Sequence, residues 1–348
     1  MFYLTHTPGR TVVIDEEEYL FFSGYSYLGM SYVPEFVQLI KEGINQYGVI
    51  FPSSRISNTR FSLYEKFEDK LSQLTGMQET ISFSSGYLAG QAIASLLSSH
   101  PCSFISPEAH PAVSTSYNEE KMSVSEWQNK LLEFVYNHKP KEIAITFDAV
   151  NTLKGCINDF SVLEKIPSSV KIICLIDDSH SIGLLGSKGE GVISQMPQKD
   201  NIEYILSYSL SKAFHIEGGA ISCSKEWADK IKRSPIYTGS TPILPTFAYV
   251  FLKAEKIYHQ QRQKLNTTIT ILSEKITNNS FITHHNLPIF ILHPSLTEER
   301  FKPEKIIISS FGYPDPKYNK INRIVVNALH TTNDIEYLTT SLAKITSE

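Results

Sequence analysis

The chain has 348 residues, of which 41% are hydrophobic and 20% are charged, and its formal net charge is -4. This balance is typical of a globular protein with a large core, and it offers no overall basic character to attract nucleic acid or an anionic membrane. The first residues lack a basic region followed by an apolar stretch, and no segment approaches roughly 18 uninterrupted apolar residues, so neither a signal peptide nor a membrane span is expected.

The middle of the chain alternates short β-rich runs with helical patterns. The predicted strands are Thr80–Ser84, Cys102–Ile105, Ile143–Phe147, Lys171–Asp177, Tyr204–Ser209 and Gly219–Ser222. The predicted helices between them are Phe61–Leu74, Tyr87–Leu97, Ser125–Asn137 and Lys225–Lys232. Strand–helix alternation implies an α/β fold with a mainly parallel sheet covered by helices on both faces. Ligands bind beyond the carboxyl ends of such strands, so polar residues that directly follow a strand matter most.

The pattern changes after Pro245, where a long helical stretch covers Thr246–Thr277. Shorter predicted strands follow at Pro288–Leu292, Lys305–Ser310 and Arg323–Ala328. A last helix begins after residues 331–334, where Asn333 or Asp334 is expected to cap it. These elements predict a second, smaller α+β domain.

We therefore expect a large cofactor-binding domain over 45–240. The smaller domain is expected to comprise 1–44 and 241–348, with the N-terminal segment around Pro34–Tyr47 joining it. The four cysteines (Cys102, Cys156, Cys174 and Cys223) form no CxxC pair. They are interpreted as free thiols of a cytoplasmic protein, in preference to disulfides or a metal site.

The segment IDDSHSIGLLG places Asp177, Asp178 and His180 at the end of an apolar predicted strand. Two adjacent acids there are costly unless they are paired or used. Asp177 is a candidate to hold a cation or a protonated ring nitrogen. A helix cap followed by a solvated loop is the alternative, and a metal site lacks an obvious second His-rich segment.

The segment SYSLSKAFHIEGG places Lys212 after a predicted strand, with Ser209 and Ser211 beside it. A lysine in this position suits a Schiff-base amine with phosphate contacts nearby, although most lysines are solvated surface groups. The segment FSSGYLAG places Ser85, Gly86 and Tyr87 where a strand turns into a helix, and the free amides of a helix N-terminus bind phosphate well.

Two further residues are candidates on weaker grounds. His110 follows another predicted strand and could stack on a planar ring, although a loop histidine is the simpler reading. Arg323 lies in the short apolar strand INRIVVNAL, where it needs an anionic partner such as a substrate carboxylate or an internal acid.

Taken in order, the motifs YLG, FSSGYLAGQA, IDDSHSIGLLG, SLSKAF…GG and STPILP resemble the α-oxoamine synthase family of pyridoxal-phosphate enzymes. The resemblance implies the aspartate-aminotransferase-like, fold type I architecture. It implies pyridoxal 5'-phosphate (PLP) as cofactor, amino acid and acyl-thioester substrates, and a homodimer with its active site at the subunit interface. No nucleic acid, membrane or metal is expected to take part.

The resemblance also assigns roles to residues. Lys212 matches the lysine that forms the Schiff base, Asp177 the partner of the pyridine nitrogen, and His180 the histidine that bonds the ring's phenolic oxygen. His110 matches the histidine stacked on the ring. The remaining cofactor contacts are expected from Ser85, Gly86, Tyr87, Thr152, Ser209, Ser211 and, toward the phosphate of the neighbouring subunit, Thr241. Arg323 matches the arginine that clamps the substrate carboxylate.

The sequence departs from the family pattern in segments expected to surround the substrate. Tyr25 stands near the substrate where the family usually has Asn, and Pro52, Ser53 and Thr59 replace expected glycines in IFPSSRISNTRFS. Tyr64 stands where the family has a histidine. These changes leave cofactor binding as expected but put the acyl donor, and even the use of CoA, in question.

The resemblance predicts a decarboxylative condensation of an amino acid with an acyl thioester. L-Alanine with a pimeloyl thioester is the first expectation, because that branch of the family has the shortest chains. An aminotransferase or another type I PLP enzyme is the alternative, since it would share Lys212 and Asp177. A catalytically silent fold used for binding is a third.

Overall fold

The structure is a computed structural model, and it describes residues 3–115, 122–276, 282–283, 285, 287–312 and 317–347. Its helices, in chain order, are α1 (Pro34–Tyr47), α2 (Ser62–Thr75), α3 (Gly86–Leu97), α4 (Val124–His138), α5 (Ser161–Lys165), α6 (Lys225–Lys232), α7 (Pro235–Gly239), α8 (Pro245–Lys253), α9 (Glu255–Ile276), α10 (Glu298–Phe301) and α11 (Thr332–Ser347).

Its strands, in chain order, are β1 (Thr11–Ile14), β2 (Glu17–Phe22), β3 (Glu79–Phe83), β4 (Ser103–Ile105), β5 (Glu142–Asp148), β6 (Val150–Asn151), β7 (Cys156–Ile157), β8 (Lys171–Asp177), β9 (Ile202–Ser209), β10 (Gly219–Cys223), β11 (Ile282–Thr283), β12 (Ile289–Leu292), β13 (Ile306–Phe311) and β14 (Ile321–Val325).

The chain divides into two compact units. The large unit comprises 38–150 and 158–255, and the small unit comprises 1–37, 151–157 and 256–348. The large unit thus takes in 38–44 and 241–255, which the sequence-based division assigned to the smaller domain. One reason is that α1 and α8 pack together within it, with the rings of Tyr47 and Tyr249 5.4 Å apart. The domain bounds 45–240 and 1–44 with 241–348 stay a prediction.

The large unit is built on a six-stranded sheet in the order β3-β10-β9-β8-β5-β4. The neighbours β4, β5, β8 and β9 pair in parallel, and β10 pairs antiparallel with both β9 and β3. The mainly parallel sheet is therefore confirmed. Strand β8 is buried along six of its seven residues, which explains why its sequence is apolar on both faces.

The small unit carries a second six-stranded sheet, in the order β1-β2-β13-β14-β12-β11. Only β2 and β13 pair in parallel among its described strand pairs. Strands β1 and β2 form a hairpin whose two turn residues, Asp15 and Glu16, both have positive φ. The sequence analysis missed this hairpin, because neither residue is the Asn or Gly that normally marks such a turn.

Two helix predictions in the C-terminal part were wrong in detail. The single helix expected over Thr246–Thr277 is two helices, α8 and α9, which meet at the buried Ala254, while Thr277 lies outside the described residues. Lys253 ends α8 and Glu255 begins α9, which is the charge order that two successive helix dipoles favour.

The last helix, α11, is capped two or three residues earlier than expected. The hydroxyl of Thr331 accepts from the Asp334 amide at 3.2 Å, and the Thr331 amide donates to the Asp334 carboxylate at 2.7 Å. This reciprocal capping box makes Thr331 the cap in place of Asn333 or Asp334. Within the residues that the structure describes, no helix is long and apolar enough to cross a membrane.

Candidate active site

The parallel strands of the large unit end along one edge of the sheet, here called the carboxyl edge. Asp148, the last residue of β5, pairs in register with Asp177, the last residue of β8. Ser209 ends the next strand, β9. The segments that follow these strands therefore converge, and they contain most of the residues expected to bind the cofactor.

Gly86 permits an unusually close approach at this edge. A Cβ atom at Gly86 would lie 2.5 Å from the Ser209 Cβ and 2.7 Å from its Cα. A Cβ at Gly219 would lie 2.4 Å from the Gly86 Cα. The beginning of α3 is thus pressed against the end of β9, and the glycine expected to face a phosphate is required by the packing of the protein itself.

The N-terminus of α3 presents amides beside two hydroxyls. Ser85 caps the helix, because its hydroxyl accepts from the Leu88 amide at 3.1 Å. Amides in the first turn have no partner within the helix, so they are available to an anion. The Ser209 and Ser211 hydroxyls lie 2.8 Å apart on the segment packed against this helix.

Asp177 is held at the end of β8 with 9% of its surface exposed. One carboxylate oxygen accepts from the Ser179 amide at 3.0 Å, and the Ser179 hydroxyl accepts from the Ser209 amide at 2.9 Å. The neighbouring Asp178 is fully buried and accepts from Ser181 and from the Val192 amide. Burial raises the pKa of Asp178, and its bonds to Ser181 and to the Val192 amide join it to the loop that follows β8.

His110 follows β4 and lies in the field of Lys212 and Asp177. Partial burial lowers the pKa of the imidazole, while the charge of Asp177 acts against this and the charge of Lys212 acts in the same direction. The residue as a whole is exposed. A neutral ring with an accessible side is suited to stacking on another planar ring.

Lys212 and His180 lie in the turns after β9 and β8 respectively. The charge of Lys212 acts on both His110 and Asp148, which places its ammonium group close to the carboxyl edge. Tyr87 lies in the first turn of α3 and is 58% exposed. Thr241 is exposed in the loop that joins α7 to α8.

Arg323 belongs to the small unit, on strand β14. Its guanidinium donates to the Thr152 carbonyl at 2.8 Å and lies 4.9 Å from the centre of the Phe311 ring. Its Nε is buried with no hydrogen-bond partner among the described residues. Burial lowers the pKa of this guanidinium, which a nearby Tyr27 only partly opposes.

A cavity of about 490 Å³ within the small unit is lined by Arg323 and Tyr25. Its other walls are largely apolar, with Phe21, Ile308 and Phe311 among them. Thr152 meets Arg323 through its carbonyl, whereas its expected contact with the cofactor ring stays a prediction. Arg323 and Tyr25, which were both predicted to be near the substrate, thus share one cavity.

The sequence analysis missed one polar residue of the carboxyl edge, Asp148. The pKa of its carboxyl is raised well above the ordinary value, first by burial and then by the charge of Asp177. The signal was available, because Asp148 directly follows the predicted strand Ile143–Phe147 and the rule about strand ends applies to it as well.

A mainly parallel sheet with a lysine, an acid pair and a helix N-terminus at its carboxyl edge is the architecture of fold type I PLP-dependent transferases. The model of the aminotransferase class I and II family matches residues 37–342. The chain belongs to that family.

Among curated proteins, the chain is similar to the 8-amino-7-oxononanoate synthase of Buchnera aphidicola, with 25% identity over 354 residues that cover 97% of this chain and 91% of that protein. Among solved structures, it resembles a serine palmitoyltransferase from S. paucimobilis with bound PLP, with a TM-score of 0.82, 18% identity, and coverage of 100% and 94%. It also resembles 8-amino-7-oxononanoate synthase from Francisella tularensis, with a TM-score of 0.71, 22% identity, and coverage of 94% and 97%.

Proposed function

We propose that this chain is a PLP-dependent α-oxoamine synthase that condenses an amino acid with an acyl thioester and releases carbon dioxide. The grouping of Lys212, Asp177 and His110 at one sheet edge carries the proposal. The similar curated proteins are named 8-amino-7-oxononanoate synthase, and one is named serine palmitoyltransferase. By analogy with the former, L-alanine is the first amino acid to test, and biotin biosynthesis is the expected pathway.

The carboxyl edge fits PLP at both of its ends. The first-turn amides at Gly86 and Tyr87, with the hydroxyls of Ser209 and Ser211, form a cradle for a phosphate, and a Cβ at Gly86 would fill part of the space beside Ser209. At the other end, we assign Asp177 to a protonated ring nitrogen. When bound, PLP withdraws electrons from the α-carbon of an amino acid.

The residues of the chain then have distinct tasks. Lys212 would hold the cofactor covalently until the amine of the substrate displaces it, and the freed Lys212 amine would then accept the proton that leaves the α-carbon. Asp177 keeps the proton on the ring nitrogen, and His180 donates to the ring's phenolic oxygen. His110 covers one face of the ring and excludes water from it.

Arg323 is assigned to the substrate carboxylate. A guanidinium with a buried Nε that has no partner among the described residues favours an anionic ligand, because a carboxylate would offset its desolvation. The ring of Phe311 supports it on one face. Tyr25 lines the same cavity and is proposed to contact the substrate there.

We also propose that the chain acts as a homodimer in the cytoplasm. Thr241 is exposed in a loop, as a residue that reaches the phosphate of a neighbouring subunit must be. The four cysteines are free thiols, which favours a reducing compartment. Mixing a Lys212→Ala variant with a Thr241→Ala variant tests the dimer, because subunit exchange should change activity relative to either variant alone.

The decisive experiment measures thiol release from acyl thioesters in the presence of alanine, glycine or serine. Purified protein with PLP should show the absorbance of a lysine-bound cofactor, and at least one pairing should release thiol. A protein that binds PLP but releases no thiol with any pairing would overturn the proposed function. Borohydride reduction should leave the cofactor on Lys212.

The family match keeps an aminotransferase as the second candidate, since Lys212 and Asp177 would serve it equally. An aminotransferase should convert an amino acid to a 2-oxo acid in the absence of any thioester. Assaying 2-oxo acid formation with PLP and amino acid alone therefore separates the two candidates.

A further inference from the structure

Asp148 lies on the carboxyl edge between the ends of β4 and β8, although the proposed chemistry gives it no task. It ends β5 directly beside Asp177, its register partner on β8. Its own main-chain carbonyl accepts from the Asn158 side chain at 2.8 Å, so its backbone is fixed. The position is therefore rigid enough to orient a neighbour.

The neighbour it contacts is His110. The backbone amide of His110 donates to the Asp148 carboxyl at 2.9 Å. The imidazole is held separately, because its Nδ1 accepts from the Ala112 amide at 3.1 Å. An Nδ1 that accepts leaves the ring proton of a neutral imidazole on Nε2. These two bonds together determine where the ring lies and which face it presents.

The contact with His110 does not depend on a negative charge at Asp148. Asp177 and Glu108 face this carboxyl and, together with burial, raise its pKa, whereas Lys212 and the His110 amide lower it. A protonated carboxyl retains a carbonyl oxygen that accepts from an amide. An amide side chain of the same shape would do the same.

From these contacts we propose that Asp148 is a positioning residue that holds His110 in place over the cofactor ring through the bond to its backbone amide. The proposal rests on the proposed function for the identity of that ring. Asp148 itself contacts neither substrate nor cofactor in this role.

The test compares Asp148→Asn with Asp148→Ala in the full chain. The asparagine variant keeps an acceptor in the same place, and the alanine variant removes it. Asp148→Ser, whose side chain is shorter, serves as a second loss variant if the alanine variant does not fold. Asp229→Asn, which removes an acid from the exposed face of α6, is the matched control for loss of charge.

The first readout needs no cofactor. Protein labelled with 13C at histidine Cε1 is titrated by NMR, and the His110 signal is identified by its loss in His110→Gln. The signal should be unchanged in Asp148→Asn and Asp229→Asn. It should shift or broaden in Asp148→Ala, because the ring is no longer held in one place.

The second readout is steady-state kinetics of thiol release. We expect kcat within about threefold of wild type for Asp148→Asn and a fall of about tenfold or more for Asp148→Ala, with KM for the amino acid little changed. An equal loss in Asp148→Asn and Asp148→Ala would show that the charge matters and would overturn the proposal. So would an Asp148→Ala protein whose His110 signal and kcat are both unchanged.

The two readouts fail independently. If the wild-type protein releases no thiol with any pairing, the proposed function fails, while the His110 signal still decides whether Asp148 positions that residue. If thiol is released but Asp148→Ala leaves His110 undisturbed, the positioning role fails and the proposed function stands.

Discussion

Two arginines with largely buried guanidinium groups have opposite surroundings. Arg55 in the large unit donates to the Ser82 carbonyl at 2.6 Å and to Glu68 at 2.5 Å, and its guanidinium lies 4.8 Å from the centre of the Tyr237 ring. Arg323 in the small unit has one carbonyl, one aromatic ring and a buried Nε without a partner among the described residues.

The pKa values of the two groups shift in opposite directions, although burial acts on both groups in the same way. Burial works to lower the pKa of Arg55, but the Glu68 carboxylate together with Tyr237 and Tyr64 more than offsets this, and the pKa is raised. Burial also lowers the pKa of Arg323, and there no carboxylate offsets it. A buried arginine that is paired with a carboxylate of its own chain has a structural role. A buried arginine without such a carboxylate is suited to bind an anionic ligand.

The largest effect should come from breaking the paired site. Glu68→Gln removes the charge that neutralises Arg55 and leaves a cation in a site where its side chain is only 9% exposed. We expect the free energy of unfolding to fall by about 3 kcal/mol or more, because one partner of a buried pair is lost. Urea denaturation followed by circular dichroism measures it.

A control for that experiment is Glu65→Gln on the same helix, which should leave the free energy of unfolding nearly unchanged. If Glu68→Gln were as stable as Glu65→Gln, the view of Arg55 as a neutralised structural cation would be wrong.

A comparable effect is expected from His330, a buried base in the same unit as Arg323 but with both ring nitrogens bonded. Nδ1 accepts from the Asn327 amide at 3.0 Å, Nε2 lies 3.1 Å from the Phe21 carbonyl, and burial lowers the pKa to about 4. The unfolded chain binds a proton near pH 6.5, whereas the folded chain does not until about pH 4.

Stability is therefore fully present above pH 6.5 and is lost as the pH falls toward 4. The loss attributable to His330 should reach about 3 kcal/mol at its limit. Urea denaturation of wild type and His330→Gln at pH 7 and pH 4.5 measures it. The variant should show a shallower decline, and an identical decline would exclude His330 as the cause.

A substitution of Arg323 tests most directly whether this arginine, unlike Arg55, serves to bind a ligand. Arg323→Met removes a cation that lacks an internal acid, so we expect stability within about 1 kcal/mol of wild type. Recognition of the amino acid should suffer, with kcat/KM lower by about 30- to 100-fold, because two charged hydrogen bonds to the carboxylate are lost. Kinetics and urea denaturation of one preparation give both numbers. A variant that is much less stable than wild type but keeps the wild-type kcat/KM would reverse the assignment.

The smallest effect is expected at a third arginine. Arg10 forms an ion pair with Asp334 at 2.6 Å, but its side chain is 42% exposed. Arg10→Gln should cost under about 1 kcal/mol, because Asp334 keeps its bonds to Thr331, and added salt should reduce even that, because the Arg10 side of the pair is open to solvent. Thermal unfolding of both proteins at low and high ionic strength tests this.

Much of the large unit could be predicted from the sequence, because its strands are apolar runs followed by polar residues. Strand Lys171–Asp177 was predicted with its observed bounds, and Lys212 was placed after the correct strand. Family motifs then supplied the roles that we propose for these residues, which strand patterns alone do not contain. Asp148 also directly follows a predicted strand, so the rule that ligands bind beyond the carboxyl ends of strands would have identified it as well.

Other features depend on contacts that a linear pattern does not express. The pairing of Arg55 with Glu68 requires the loop before α2 to fold back onto that helix. From the sequence, the segment that contains Arg55 was interpreted only as one in which expected glycines are replaced. The break at Ala254 has no proline or glycine to announce it. The turn at Asp15 and Glu16 relies on two positive φ angles, which Asp tolerates but Glu seldom adopts.

The contact among Gly86, Ser209 and Gly219 has a mechanical consequence. The main chain of Gly86 lies directly against the main chain of Gly219 and against the Cα and Cβ atoms of Ser209, so no long, flexible side chain is present between them to absorb a displacement. The helix that would grip a phosphate and the strand that leads to Lys212 must then move as one stiff body. Adding even a methyl group at residue 86 would push the anchor of one end of a bound ligand away from the anchor of the other.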